Sequence, residues 1–180
     1  MTAATKVGRR GATGRTRGVA TGRHRRGTAE PPEAPSQAGL VWVLDASVAV
    51  RWLLAAGAEP DAERVMERVV EQPRRFAVPE LFAFETFSVI ARHHSDPLGA
   101  FGRSILPVLN SGILRQPMSV KLAEAAMPFV ARGLTGYDAC YAGLASMVGG
   151  TWLTFDGEAH RRLAGTGVSF LLGHGVPAEL

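Results

Sequence analysis

Four carboxylates in this chain stand apart from other charges. Asp45 is the only charged residue between Glu33 and Arg51, Glu85 the only one in residues 81–91, and Asp138 the only one in residues 133–155, a stretch that Asp156 directly follows. Carboxylates in apolar surroundings are rarely buried unless they are paired or bind a metal. None of the four has a Lys or Arg at helical spacing to pair it. Gathered in one place, such groups repel and raise each other's pKa unless a cation neutralises them. Hard oxygen ligands without His or Cys select Mg²⁺ or Mn²⁺ over zinc. A cleft of that kind suits phosphodiester hydrolysis, in which the ion activates water and shields the charge that builds on phosphate. Each acid also has a plainer reading. Asp45 and Asp156 fit helix N-caps, Asp138 fits a residue complementing a helix dipole, and Glu85 fits a capped or paired core carboxylate.

The elements that must position these groups follow from the hydropathy pattern. Residues 40–44 form a short apolar run ending at Asp45, as expected of a strand buried on both faces. Helices are expected at 47–56, stopped by Gly57, and at 61–72, whose inner stripe is Ala62, Val65, Met66, Val69 and Val70. A strand at 76–78 precedes a helix opened by Pro79 and running through 91. On that helix Leu81, Phe84, Glu85, Ser88 and Val89 share one stripe, which is expected to face inward. Residues 98–109 read as a helix broken or kinked by Pro107. Ile113 and Leu114 read as a short strand, 119–132 as a helix interrupted at Pro128 and stopped by Gly133, and 137–148 as a helix rich in small residues. A strand at 151–155 leads to Asp156, a short helix to 163 and a last strand at 168–172. Alternating strands and helices imply βαβ units, hence an α/β fold with a mainly parallel central sheet and helices on both faces. Asp45 and Asp156 then lie at the strand edge where such sheets bind ligands, and Asp138, in the first turn of its helix, can face the same edge.

The 180 residues suffice for one domain with a real core. The net charge of +4 is unevenly spread, since residues 1–40 carry eight Lys and Arg against Glu30 and Glu33 while the remainder is slightly acidic. Residues 1–38, made of Gly, Ala, Thr, Arg and Pro, read as a disordered basic tail. Such a tail is either simply solvated or adds nonspecific affinity for nucleic-acid phosphates. The folded domain is expected at 39–175. A single cysteine, Cys140, excludes an intramolecular disulfide and a thiolate zinc cluster. No apolar run reaches the roughly 18 residues of a membrane span, and nothing near Met1 resembles a secretory signal. A reducing, cytoplasmic setting and no membrane contact are the expectation.

Four segments together resemble the PIN-domain ribonucleases, and in size and spacing the VapC toxins of bacterial toxin–antitoxin pairs. VLDASVAVRWLL carries Asp45 and Ser47, VPELFAFETFSVI carries Pro79 and Glu85, LTGYDACYAGLA carries Asp138, and TWLTFDGEAHRRL carries Thr154 and Asp156. The resemblance runs from about residue 41 to 172. It implies a PIN-like three-layer α/β/α fold and an Mg²⁺- or Mn²⁺-dependent endoribonuclease. Asp45, Glu85, Asp138 and Asp156 would hold the metal, with Ser47 and Thr154 orienting the carboxylates. It also implies an RNA substrate cut to 5′-phosphate and 3′-hydroxyl ends, a cognate antitoxin and a homodimer. Phe87 departs from the small or amide residue many relatives carry there. A non-catalytic PIN-like module that binds RNA or protein is the alternative. Phosphoryl transfer through an aspartyl nucleophile at Asp45 lacks the usual D-x-D, because Ser47 holds the second position.

Other residues read as structural. Trp42, Trp152 and Cys140 are expected in the core, and His93 and His94 at the last carbonyls of their helix. His160 is expected at the surface, and Trp52, Phe82 and Phe84 serve either core or dimer contact. Gly173, Gly175 and Ala178 spell a dinucleotide-like G-x-G-x-x-A without the helix that motif requires. Arg51, Arg161 and Arg162 are candidates for phosphate contact or an ordinary solvated face.

Overall fold

The computed structural model describes residues 41–54 and 59–180. The expected basic tail, Leu40 and the end of the first expected helix lie outside them. The described chain runs β1 (Trp42–Leu44), α1 (Ala46–Arg51), α2 (Pro60–Glu71), β2 (Phe76–Pro79), α3 (Leu81–His93), α4 (Pro97–Ala100), α5 (Leu106–Leu109), β3 (Leu114–Gln116), α6 (Val120–Val130), α7 (Gly136–Val148), β4 (Thr151–Thr154), α8 (Gly157–Arg162) and β5 (Ser169–Leu171). The five strands form one sheet in the order β3-β2-β1-β4-β5, every neighbouring pair parallel. Trp42, Val43 and Leu44 are buried throughout, as the apolar run requires for a central strand. Helices cover both faces, giving the three-layer α/β/α architecture.

This strand order has a consequence for ligands. The chain moves outward from β1 through β2 to β3 on one side, then returns to β4 and β5 on the other. The order therefore reverses between β1 and β4, and parallel sheets open a crevice at such a switch beyond the carboxyl ends of the strands. Asp45 directly follows β1, and Asp156 comes two residues after β4. The register pairs Leu44 with Leu153, so the two strand ends are level.

α7 packs across β1, β2 and β4, with α6 lying on it. Its small residues are explained by that second contact. A side chain at Gly143 would meet the Ala126 backbone nitrogen at 2.9 Å, so a larger residue would push the helices apart. Gly149 ends α7 in the left-handed conformation (φ 62°), and the Gly150 N–H closes on Ala145 O at 2.8 Å.

Several expectations need correction. Met66 and Val70, expected on the inner stripe of α2, are exposed, because the buried stripe is the narrower Ala62, Val65 and Val69. α6 runs through Pro128 to Val130. Pro79 closes β2 instead of opening a helix, and α3 starts at Leu81. The expected 98–109 helix is present over 97–109, but its irregularity is a widened turn just before Pro107 and not a break at it. α4 widens at residues 101–105 into a π-turn, in which the Leu106 N–H reaches Phe101 O, before α5 begins. Pro107 has no N–H to donate and its ring crowds the preceding turn, which a widened turn accommodates. The stripe Leu81, Phe84, Glu85, Ser88 and Val89 lines an open groove, while α3 faces the core with Phe82, Thr86 and Ile90.

The G-x-G near the C-terminus has a structural use. Gly173 and Gly175 have φ of 111° and 126°, and both donate backbone N–H groups to Asp61 Oδ2, at 2.8 and 2.7 Å. Asp61 is a buried acid at the start of α2, so it ties the chain end to that helix. Asp61→Ala is expected to cost about 2 kcal/mol in urea unfolding, the scale of lost hydrogen bonds to a charged acceptor, and Asp61→Asn roughly half as much.

Candidate active site

The first turn of α1 shapes the site. Asp45 is its N-cap, and Oδ1 accepts the Ser47 N–H at 2.6 Å. Capping alone would leave the other oxygen to solvent. Oδ2 instead accepts the indole N–H of Trp152 in β4 at 2.8 Å, and Asp45 is 8% exposed. Burial pushes the Asp45 carboxyl above its ordinary range, hydrogen bonds from Ser47 and Trp152 oppose this, and the charge of Asp138 adds to the rise. Among the described residues no Lys or Arg pairs with it.

Glu85 is half-buried on α3, and its Oε2 accepts the Tyr141 hydroxyl at 2.6 Å. Burial raises the Glu85 carboxyl, and the charges of Asp45 and Asp138 raise it further. Burial and the charges of Asp45 and Glu85 hold the Tyr141 phenol well above its usual range, so it stays a donor. Asp138 stands in the first turn of α7. Thr135 caps that helix, accepting the Asp138 N–H at 3.1 Å and donating its hydroxyl to Asp138 Oδ2 at 2.6 Å. Asp156 is the N-cap of α8, with Oδ1 accepting the N–H groups of Glu158 and Ala159 at 2.8 and 2.9 Å. It lies across a small depression of about 170 Å³ from Asp138, whose walls include Thr135 and Arg162.

The plainer capping readings thus hold for Asp45 and Asp156, and Asp138 does lie at a helix start. They do not exhaust these residues. Asp45, Glu85 and Asp138 come from three separate elements and sit close enough to feel each other's charge, while Asp156 shares a depression with Asp138 and Glu158. As the side chains stand, no group of three or more His, Cys, Asp or Glu among the described residues converges enough to hold a metal ion. The donor set nevertheless fits a hard divalent cation. It consists of oxygen ligands only, and its central carboxylate is buried without a cationic partner.

Ser47 and Thr154 brace the site. Ser47 Oγ accepts the Phe155 N–H at 3.2 Å, tying α1 to the end of β4. Buried Thr154 accepts the Asp156 N–H at 3.0 Å. Of the arginines, Arg51 donates to Ser47 O at 2.8 Å and stacks 4.1 Å over the Phe155 ring. Arg161 and Arg162 both pair with Glu158. His160 Nδ1 lies 2.9 Å from Ser169 Oγ, and His94 Nδ1 accepts the Asp96 N–H at 3.0 Å. Nothing in the sequence analysis singles out Tyr141, although an aromatic among the small residues of α7, one turn after Asp138, is the available signal. Trp152 is core, as expected, but a buried indole N–H requires an acceptor, and that requirement pointed to a polar partner.

An all-parallel α/β sheet with unpaired carboxylates at its switch point defines a class of small acidic-cleft proteins. The chain belongs to the PIN domain family, whose model matches residues 42–165. Among solved structures it is similar to FitAcB from Neisseria gonorrhoeae (15% identity, TM-score 0.56, covering 72% of this chain and 96% of that one). A toxin–antitoxin complex from Klebsiella pneumoniae is similar too (14%, TM-score 0.54, covering 74% and 98%). So is VapC20 of Mycobacterium tuberculosis, a sarcin–ricin loop cleaving toxin (16%, TM-score 0.52, covering 67% and 93%). No curated protein sequence matches this chain. No described helix is long and apolar enough to cross a membrane.

The electrostatics set a pH dependence. A carboxyl raised in the folded state stabilises the fold below its unfolded pKa, about 3.9 for Asp and 4.3 for Glu, and that contribution is lost as pH rises through the raised value. Asp138→Asn removes one charge that raises both Asp45 and Glu85. In EDTA at pH 7 the variant is expected to melt higher than the parent, and the gap should close below about pH 4. Thermal melts at the two pH values check this.

Proposed function

We propose that this protein is a divalent-metal-dependent endoribonuclease, the toxin of a toxin–antitoxin pair. The observation that carries the reading is Asp45. It is a buried carboxylate at the switch point, without a cationic partner among the described residues, and it stands within electrostatic reach of Glu85 and Asp138. Asp61 shows that a buried acid can serve structure alone, but Asp45 differs in standing within reach of two further acids from separate elements, a crowding of like charge that is costly unless a cation joins it. The toxin and ribonuclease named among the similar structures support the same reading.

In this reading Asp45, Glu85, Asp138 and Asp156 hold one or two Mg²⁺ or Mn²⁺ ions, and Ser47 and Thr154 keep the loops that carry Asp45 and Asp156 in place. A divalent cation bound there supplies Lewis acidity, acidifying water and screening charge on the scissile phosphate. The chain's own part is to bring Asp45, Glu85 and Asp138 within electrostatic reach of one another, with Asp156 beside Asp138, and to pair none of them with a Lys or Arg among the described residues. A groove of about 720 Å³, lined by Leu81, Phe84, Met118, Leu122 and Tyr137, shares Leu81, Phe84 and Tyr137 with the groove that Glu85 lines. Phe84, Met118 and Tyr137 are exposed at 72, 60 and 67%, and Val120 and Met127 on α6 are exposed as well. Solvated apolar surface of this extent suits a protein contact. We assign it to a homodimer, with a cognate antitoxin as the further partner. Phe84→Asp is expected to convert a dimer to a monomer in light scattering.

RNA cleavage by the purified protein in Mn²⁺ is expected to stop in EDTA. Asp45→Asn should lower it by more than about 100-fold, beyond what loss of an outer partner costs. Mn²⁺ at a hundredfold excess over its dissociation constant should stabilise the parent by about 2.7 kcal/mol and Asp138→Asn by less. Cleavage undiminished in EDTA would sink the metal reading.

A further inference from the structure

Two aromatic side chains reach the carboxylates from inside the core. The Tyr141 hydroxyl donates to Glu85 Oε2 at 2.6 Å, and Trp152 Nε1 donates to Asp45 Oδ2 at 2.8 Å. The two rings lie against each other, with centroids 5.7 Å apart and planes 9° from parallel. Both are almost wholly buried, at 1% and 0% exposure, so neither can swing without disturbing the core. Tyr141 lies in α7 and Trp152 in β4, whereas Glu85 is on α3 and Asp45 follows β1. The stack therefore joins carboxylates from two further elements through a single rigid unit.

We propose that Tyr141 and Trp152 are positioning residues that fix the side-chain orientations of Glu85 and Asp45. Packing alone does not call for either polar group. Residues 139–145 of α7 are otherwise Ala, Cys, Ala, Gly, Leu and Ala, and an apolar ring would fill the same space without a hydroxyl to satisfy. Among the described residues, Tyr141 is the one hydrogen-bond partner of the Glu85 side chain. The chemical type of the donors matters as well. A Lys or Arg would hold a carboxylate equally well but cancel its charge. A phenol and an indole are neutral donors that orient the carboxylate and leave its charge available to a cation. Partners of this kind tune metal ligands, and their loss costs about 10–100-fold in affinity. The link to metal binding rests on the function proposed above, whereas the orienting role does not.

The test uses the full chain with Tyr141→Phe, Trp152→Phe and Tyr141→Leu. In metal-free protein with ¹³C-labelled carboxylates, Tyr141→Phe is expected to move the Glu85 carboxyl resonance, and Trp152→Phe that of Asp45. In Mn²⁺ titration calorimetry each Phe variant is expected to bind about 10–100-fold more weakly than the parent. At position 141 Phe keeps the ring and the stack, whereas at 152 it also leaves a cavity, so Tyr141→Phe is the deciding variant. A purely structural role therefore predicts that Tyr141→Phe behaves as the parent and only Tyr141→Leu differs, and that result would overturn the proposal. Unmoved carboxyl resonances would overturn it too. A parent that takes up no Mn²⁺ would remove the metal reading, and the resonances of the metal-free variants would still decide the orienting role.

Discussion

The hydrogen bond from the Trp152 indole to Asp45 joins the two halves of this fold. Asp45 ends the first strand and starts the first helix, and Trp152 comes 107 residues later from the neighbouring strand. Together with the β1–β4 ladder and the Ser47–Phe155 hydrogen bond, this contact ties the strand pair at the switch point to the start of α1 and orients a buried carboxylate. Its cost is desolvation, which raises the Asp45 carboxyl despite the hydrogen bonds it accepts. A buried charge with neutral partners is strained unless something positive arrives, and the rest of the acidic crevice is arranged around that condition.

Helix starts do most of that arranging. Asp45 and Asp156 cap α1 and α8, and Asp138 shares a reciprocal pair of hydrogen bonds with the Thr135 cap of α7. In a parallel sheet every strand end leads toward a helix start, so residues that cap helices are delivered to one edge. Capping and ligand binding are then successive uses of the same carboxylate. One oxygen can satisfy backbone N–H groups while lone pairs remain for a ligand. Glu85 is the exception, since it sits one turn inside α3 and owes its orientation to a tyrosine on another helix.

The apolar groove beside the crevice shows how one helix serves two surfaces. α3 gives Phe82, Thr86 and Ile90 to the core and turns Phe84, Glu85 and Ser88 outward. Glu85 thus lies on the border between the acidic crevice and the solvated apolar surface. At the start of α2, Asp61 holds the N–H groups of Gly173 and Gly175, showing that a buried acid in this protein can also be structural.

The sequence by itself determined the alternation of strands and helices, the parallel sheet and the four isolated acids, because hydropathy period and missing countercharges are local properties. It also placed Asp45 and Asp156 at strand ends, for the same reason. It did not reveal the face that α3 buries, since a stripe of mixed Leu, Phe, Glu, Ser and Val fits a groove as well as a core. Nor did it foresee the widened turn before Pro107, where helix geometry yields to a missing N–H. Trp152 reads as core filling and Tyr141 draws no notice, because their polar atoms meet Asp45 and Glu85 across 107 and 56 residues. Only the tertiary structure decided which donor meets which carboxylate. That choice depends on strand order and ring packing, and neither leaves a trace in local spacing.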